Sequence, residues 1–127
     1  MIKLKDLIHE RIDFSDTAAQ IVKSYKLKSK IRFGSGKNKG DYEWKSDTIN
    51  LRPSYSSIKE FLMTVLHEIH HAKERKRMGV SKYEKEYQKA GDLAVHKGKD
   101  FHDDNKFEEI AERWAKKELF IWMKKIK

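Results

Sequence analysis

The segment from Ser54 to Gly79 constrains the fold most strongly, because it combines a long apolar repeat with helix start and stop signals. Its apolar residues recur three or four positions apart, which is the spacing of one helix face. These residues are Ile58, Phe61, Leu62, Val65, Leu66, Ile69 and Ala72. Ser57 and Glu60 have the spacing of a capping box, and Gly79 is placed to end the last turn. The segment therefore predicts one amphipathic helix at the centre of the fold.

A histidine pair lies on the side of this helix opposite the apolar stripe, within the sequence His67-Glu68-Ile69-His70-His71. His67 and His71 are about 40° apart around the helix axis and one turn apart along it, so both imidazoles can bind one metal ion. Glu68 projects about 100° from His67, where it can take a proton from a water on that metal. This is the H-E-x-x-H arrangement of zinc metalloproteases. The alternative is a solvated helix face whose histidines have no metal.

The composition limits which metal sites are possible. The 127 residues form one domain, and the absence of cysteine excludes both disulfides and thiolate ligands. Any transition metal must therefore be held by histidine and carboxylate. The first residues lack the apolar block of a signal peptide, and no apolar run is long enough to span a bilayer. We expect a cytoplasmic protein with no membrane contact.

The formal net charge of +9 allows two interpretations. A basic surface attracts nucleic acid or an acidic substrate. It also keeps a lysine-rich protein soluble without any specific partner. The basic residues are spread along the chain, with small concentrations at 73–77 and 116–127, and neither is interleaved with stacking aromatics.

The segments before the central helix predict helices followed by a small sheet. Residues 2–13 and 14–25 both have helical apolar spacing, so one bent helix or two helices should precede Lys26. Alternating patterns then predict short strands around 31–33, 41–45 and 48–52. The expected class is α+β, with about three largely antiparallel strands packed on the central helix.

Two more helices are expected after the central one. Ser81 and Glu84 repeat the capping-box spacing, so a helix should run from about Ser81 to Lys97 and end at Gly98. After a loop, Asp104 or Asn105 should cap a long final helix. The predicted buried edge of the final helix consists of Phe107, Ile110, Ala111, Trp114, Ile121 and Trp122.

A catalytic zinc usually has three protein ligands, so a third must lie elsewhere in the chain. The downstream candidates are His96, His102, Glu108 and Glu109. We favour Glu108, because Ala111 and Ala115 follow it on the same helix face and would allow close approach to the histidine helix. His96 is the alternative third ligand, and Glu109 is expected to be solvated.

Further residues could support such a site. Glu112, one turn after Glu108, could accept the free N–H of a ligand imidazole, or could instead pair with Lys116 in solvent. His102, Tyr83 and Tyr87 could donate a hydrogen bond to an oxyanion, although such residues more often lie in loops or pack in the core. His70 could face the cleft, or it could form a hydrogen bond near the core.

The order of these motifs resembles a known family. A strand at 48–51, the HEIHH helix and the sequence Asn105-Lys106-Phe107-Glu108-Glu109-Ile110-Ala111 are similar to the small zincin metallopeptidases with glutamate as third ligand. The resemblance covers roughly residues 41–116 and is to ImmA/IrrE-like bacterial and phage minimal gluzincins, and more loosely to SprT-like proteins. Lys106 stands where proline is common in this group. SprT-like proteins use a third histidine as the third ligand, so His96 remains an alternative to Glu108.

The resemblance implies a single minimal zincin-like domain over residues 1–127, with Zn²⁺ held by His67, His71 and Glu108. Glu68 would be the general base in hydrolysis of a protein or peptide substrate. It also implies that the substrate pairs with an edge strand near Thr48–Arg52. The alternatives are a basic nucleic-acid-associated module on a zincin-like scaffold, and a structural zinc site closed by His67, His71, His96 and Glu108.

Overall fold

The computed structural model describes residues 14–34 and 38–126 of the chain. Its elements are α1 (Phe14–Ser24), β1 (Lys30–Phe33), β2 (Gly40–Glu43), β3 (Thr48–Leu51), α2 (Ile58–Met78), α3 (Val80–His96) and α4 (Lys106–Ile126). This order confirms the α+β class. The helix predicted over residues 2–13 lies outside the described residues. Among the described helices, none combines the length and the apolar character needed to cross a membrane.

The three strands form a mixed sheet in the order β1-β3-β2. β2 pairs with β3 antiparallel, with Tyr42 opposite Ile49, whereas β1 pairs with β3 parallel, with Ile31 also opposite Ile49. The expectation of a largely antiparallel sheet is therefore wrong for one of its two pairings. Alternating apolar and polar residues indicate a strand but not its direction, because the period of two is the same in both kinds of sheet.

The turn between β2 and β3 explains why these two strands are antiparallel neighbours. Only a few residues join them, and such a short connection allows a hairpin but no crossover. Asp47 adopts a left-handed conformation with φ of 52°. Its carboxylate accepts hydrogen bonds of 2.7 Å from both the Ser29 and Tyr42 hydroxyls. The strand order places β3 between β1 and β2, so the expectation that Thr48–Arg52 lies at an edge is wrong.

α2 forms the core with the stripe predicted from its sequence. Ser57 Oγ accepts the Glu60 backbone N–H at 3.1 Å, and Gly79, with φ of 89°, ends the helix. The Glu60 carboxylate accepts from the Ser56 N–H, one residue earlier than the standard capping box. The fully buried members of the stripe are Phe61, Leu62, Val65, Leu66, Ile69 and Ala72, while Ile58 is half-buried.

α3 and α4 differ from prediction in two details. α3 begins at Val80 with Gly79 as its N-cap, and no side chain caps it, so the predicted Ser81 capping box does not form. The reason is that one glycine both ends α2 and starts α3, which places Ser81 inside the helix. On α4, Ile121 is 46% exposed, whereas Leu119 is buried. The buried face of α4 follows Ala111, Ala115, Leu119 and Trp122, and Ile121 lies off that line.

Gly40 sets the distance between the edge strand β2 and α2. A Cβ atom at this position would lie 2.6 Å from Thr64 Cγ2 and 3.1 Å from the Asn50 backbone oxygen. We expect Gly40→Ala to lower the free energy of unfolding by about 1–3 kcal/mol through overpacking. Gly34→Ala is the matched control, because nothing lies within 4 Å of its Cβ position. Urea unfolding measures both; equal stability of the two variants would contradict this account of the spacing.

Candidate metal centre

Three predicted side chains from two helices meet at one point. His67 and His71 lie on α2, and Glu108 lies in the first turn of α4. Glu108 Oε1 is 2.7 Å from His67 Nε2 and 3.0 Å from His71 Nε2. One donor atom from each residue lies within 4.8 Å of the other two. Within residues 14–34 and 38–126, no other group of three or more His, Asp or Glu side chains has this geometry.

The sequence around Glu108 explains how α4 brings it to the histidines. Ala111 and Ala115 have no exposed surface, and small side chains let two helix backbones come close. Asn105 determines where α4 starts, because its Oδ1 accepts the Phe107 N–H at 2.8 Å. Its Nδ2 donates to the Tyr87 backbone oxygen at 3.1 Å, which ties that start to α3. Glu108 is therefore positioned by a buried cap and not only by its place in the helix.

Glu112 lies where its spacing from Glu108 predicts. Its Oε2 is 3.1 Å from His67 Nδ1, so His67 contacts one carboxylate through each ring nitrogen. When Nδ1 carries the proton and donates it to Glu112, Nε2 has a free lone pair. That is the tautomer in which His67 could bind a metal through Nε2.

Tyr83 and Tyr87 have contacts that sequence reasoning missed. Tyr83 Oη is 3.0 Å from His71 Nδ1, and the Tyr87 hydroxyl donates to Glu108 Oε2. Two clefts lie beside His67: Glu68 and Gly40 line one, and Asp103 and Arg113 line the other. The side chains of Tyr83 and Tyr87 are buried and line neither cleft. They contact His71 and Glu108 without reaching either cleft. Their i, i+4 spacing on α3 was the available signal, but it did not reveal which residues they face.

Glu68 is 7% exposed and lines a cleft of about 450 Å³ together with His67 and Gly40. Burial raises the pKa of its carboxyl, while the nearby His71 and His67 oppose that rise. A buried carboxylate beside an accessible cleft, with a raised pKa, is suited to accept a proton from a water molecule. Glu68 is not one of the three converging side chains, so it remains available for this role.

The charged groups of the centre shift one another's pKa values. Burial alone would lower the pKa of His67, but the hydrogen bond to Glu108 and the charges of Glu68, Glu108 and Glu112 raise it to about 9. Burial alone would raise the pKa of Glu108, but its hydrogen bonds with His67 and His71 lower it below the usual range. Near neutral pH, these shifts favour a protonated His67 imidazole next to an ionised Glu108 carboxylate. A divalent cation would compete with the imidazole proton.

The other candidate ligands are not members of the three-residue cluster, although His102 lies next to it. His96 is exposed near the end of α3 and lines a different cavity, together with His70. Glu109 is exposed, as expected. His102 is exposed and lines both clefts beside His67; its Nε2 is 3.3 Å from Glu108 Oε2. Of the three residues predicted as oxyanion donors, His102 alone lines the clefts beside His67.

His70 is 8% exposed and lines the same cavity as His96, not the clefts beside His67. Its ring packs on Trp114 with 5.4 Å between the ring centroids. Burial lowers the pKa of His70 to about 4, with smaller effects from nearby charges. The folded protein therefore holds a neutral imidazole at this position, consistent with a packing role.

We expect the free energy of unfolding to decrease as the pH falls from about 6.5 to about 4. Over this interval the unfolded chain binds a proton on His70 that the folded chain excludes. At about 1.4 kcal/mol per pKa unit, His70 accounts for at most roughly 3 kcal/mol of the loss. Urea unfolding of the metal-free protein at several pH values measures it. His70→Gln should lose less stability than the original chain; equal losses would contradict the assignment.

The cluster has the composition of a transition-metal site. Two imidazoles and one carboxylate are ligands that zinc accepts, and three protein donors leave a coordination position open for solvent or substrate. The four-ligand set with His96 does not assemble, because His96 lies at the other cavity. No protein-family model, curated protein sequence or solved structure matches the chain.

Proposed function

We propose that this chain is a zinc-dependent metallopeptidase with a minimal gluzincin-type centre. The observation that carries the proposal is the meeting of His67 Nε2, His71 Nε2 and Glu108 Oε1 beside a cleft lined by Glu68. Two histidines and a glutamate in this arrangement can hold a zinc ion, and a second glutamate beside them can take a proton from a metal-activated water.

His67, His71 and Glu108 would hold the zinc ion. A bound zinc ion supplies Lewis acidity, which lowers the pKa of a water molecule and polarises a carbonyl group. Glu112 orients the His67 ring by accepting its Nδ1–H, so that Nε2 stays available. The formation of this ligand set between α2 and α4 makes the centre depend on the packing of these two helices.

Glu68 would act as the general base. Its carboxylate takes a proton from the attacking water and then delivers that proton to the leaving amine of the cleaved peptide bond. Burial raises its pKa above the ordinary value, which makes the carboxylate a stronger base. The same burial limits the access of bulk water to the proton that Glu68 holds between the two steps.

The peptide substrate would pair with β2 and not with the central strand β3. β2 is an edge of the sheet, and its first residue, Gly40, lines the same cleft as Glu68 and His67. An extended peptide can add to such an edge through backbone hydrogen bonds, which holds its carbonyl groups in register.

The basic residues at 73–77 give no specific support to nucleic-acid binding. Arg75 donates to the Trp44 backbone oxygen at 2.6 Å, and Arg77 pairs with Glu74. Lys73 lies 4.8 Å from the centroid of the Trp114 ring. These three cations already have partners within the protein, so the metal centre supports a function better than this charge concentration does.

Elemental analysis combined with a cleavage assay tests the proposal. We expect about one zinc per chain after incubation with zinc and removal of excess, and mass-spectrometric detection of new termini in an unstructured protein such as casein. A chelator should abolish cleavage, and added zinc should restore it. Failure to bind zinc would overturn the proposal. One tightly bound zinc without cleavage of any protein or peptide library would support a structural site instead.

A further inference from the structure

The side of the metal centre away from the clefts is formed by two tyrosines on α3. Tyr83 and Tyr87 lie one helical turn apart, with ring centroids 6.0 Å apart and an interplanar angle of 27°. Tyr83 reaches His71 on α2, and Tyr87 reaches Glu108 on α4. One helix that supplies no metal ligand therefore contacts a ligand from each of the two helices that do.

We propose that Tyr83 and Tyr87 are positioning residues that hold His71 and Glu108 in the geometry a metal ion requires. This inference rests on the metal site of the proposed function, but it does not depend on peptide hydrolysis. It assigns α3 a second role besides packing: α3 aligns α2 and α4 through two hydroxyl groups.

The Tyr83 contact is compatible with the tautomer of His71 that metal binding requires. His71 Nε2 faces Glu108 Oε1, so metal binding through Nε2 requires the ring proton to be on Nδ1. Tyr83 Oη, 3.0 Å from Nδ1, is placed to accept that proton. Glu112 performs the equivalent task for His67, but at a half-exposed position where a charged acceptor remains solvated. At the buried position, a neutral phenol avoids the desolvation cost of another carboxylate.

The Tyr87 contact distinguishes the two oxygens of Glu108. The Tyr87 hydroxyl donates to Oε2, whereas Oε1 faces both histidines. A hydrogen bond on Oε2 directs the carboxylate to bind a metal through Oε1 alone and stops it from rotating away. Asn105 supports this arrangement, since it caps α4 and also donates to the Tyr87 backbone oxygen.

Aromatic packing holds both phenol rings in place. Trp44 and Phe107 contact Tyr83, with centroid distances of 5.8 and 5.6 Å. The same two rings contact Tyr87, at 5.3 and 5.8 Å. Because the rings are fixed by these contacts, replacing tyrosine with phenylalanine should remove the hydroxyl and leave the ring in position.

Zinc affinity of Tyr83→Phe and Tyr87→Phe tests the proposal. We expect each variant to bind zinc roughly 10- to 100-fold more weakly in competition with a chromophoric chelator, the range for loss of a residue that orients a ligand. The Co²⁺-substituted variants should show altered visible absorption, because ligand geometry determines those bands. Tyr25→Phe is the matched control: its hydroxyl also donates to a carboxylate, Glu118, but away from the centre, and its affinity should be unchanged.

The outcomes separate this proposal from the proposed function. Affinities within twofold of the original chain for both Tyr83→Phe and Tyr87→Phe, with unchanged Co²⁺ spectra, would overturn the positioning role even if cleavage is observed. Weakened binding in a protein that never cleaves peptides would support the positioning role and overturn the peptidase. Thermal unfolding of the metal-free variants shows whether they fold, and a purely structural role would lower the melting temperature without changing affinity.

Discussion

Replacing Glu68 with glutamine should abolish peptide cleavage while leaving zinc bound. Glutamine has nearly the same shape as glutamate but cannot accept a proton from water, so the general-base step is lost. General-base catalysis typically contributes about 10²- to 10⁴-fold to the rate, so kcat/KM should fall by about this factor or more. Zinc content should not change, because Glu68 is not among the three side chains that converge.

Stability provides a second readout for this variant. Burial raises the pKa of Glu68, which means that the folded protein disfavours its charged form. A neutral amide should therefore leave the free energy of unfolding unchanged or higher. Glu109→Gln is the matched control, since Glu109 is exposed and does not line the cleft that contains Glu68, so this variant should retain activity. Cleavage by Glu68→Gln at the original rate would show that the base lies elsewhere.

Removal of the histidine ligands should eliminate zinc binding. Loss of a residue that only orients a ligand costs about 10- to 100-fold in affinity, so loss of a ligand itself should exceed 100-fold. We expect His71→Ala to lose both zinc and cleavage, and His67→Ala/His71→Ala to bind no stoichiometric zinc. Full zinc content in the double variant would exclude this centre.

Thermal unfolding detects the same loss without an activity assay. A ligand that binds only the folded state stabilises it by about 2.7 kcal/mol at one hundred times its dissociation constant. Zinc should therefore raise the melting temperature of the original chain but not that of His71→Ala. His96→Ala, at the exposed alternative ligand, should keep the full zinc-dependent shift. A loss of the shift in His96→Ala would return His96 to the ligand set.

Helix boundaries were accessible from sequence because their signals are local. The Ser57 cap, the glycine stop at Gly79 and the Asn105 cap each depend on hydrogen bonds between residues a few positions apart. The predicted capping box at Ser81 does not form, and the cause is also local. Gly79 ends one helix and is the N-cap of the next, so Ser81 lies inside the helix.

For the sheet, the sequence predicted the strands but not their order. Alternation located β1, β2 and β3 but could not order them, since the side-chain period is the same for either strand direction. The order places β3 in the centre and β2 at an edge, which moves the proposed peptide-binding edge from Thr48–Arg52 to Gly40–Glu43. Pairing between segments distant in the chain decided this.

The sequence by itself determined that His67 and His71 lie one turn apart on a single helix with Glu68 beside them, and it favoured Glu108 over His96 as the third member of the cluster without excluding His96. Helical geometry makes this possible, because residues four apart on a helix face the same side whatever surrounds them. Only the tertiary structure decided that Tyr83 and Tyr87 contact His71 and Glu108, and that His96 lies at another cavity. Which side chains meet across three helices depends on their rotation and spacing, which are set by packing of the whole core and not by any local pattern.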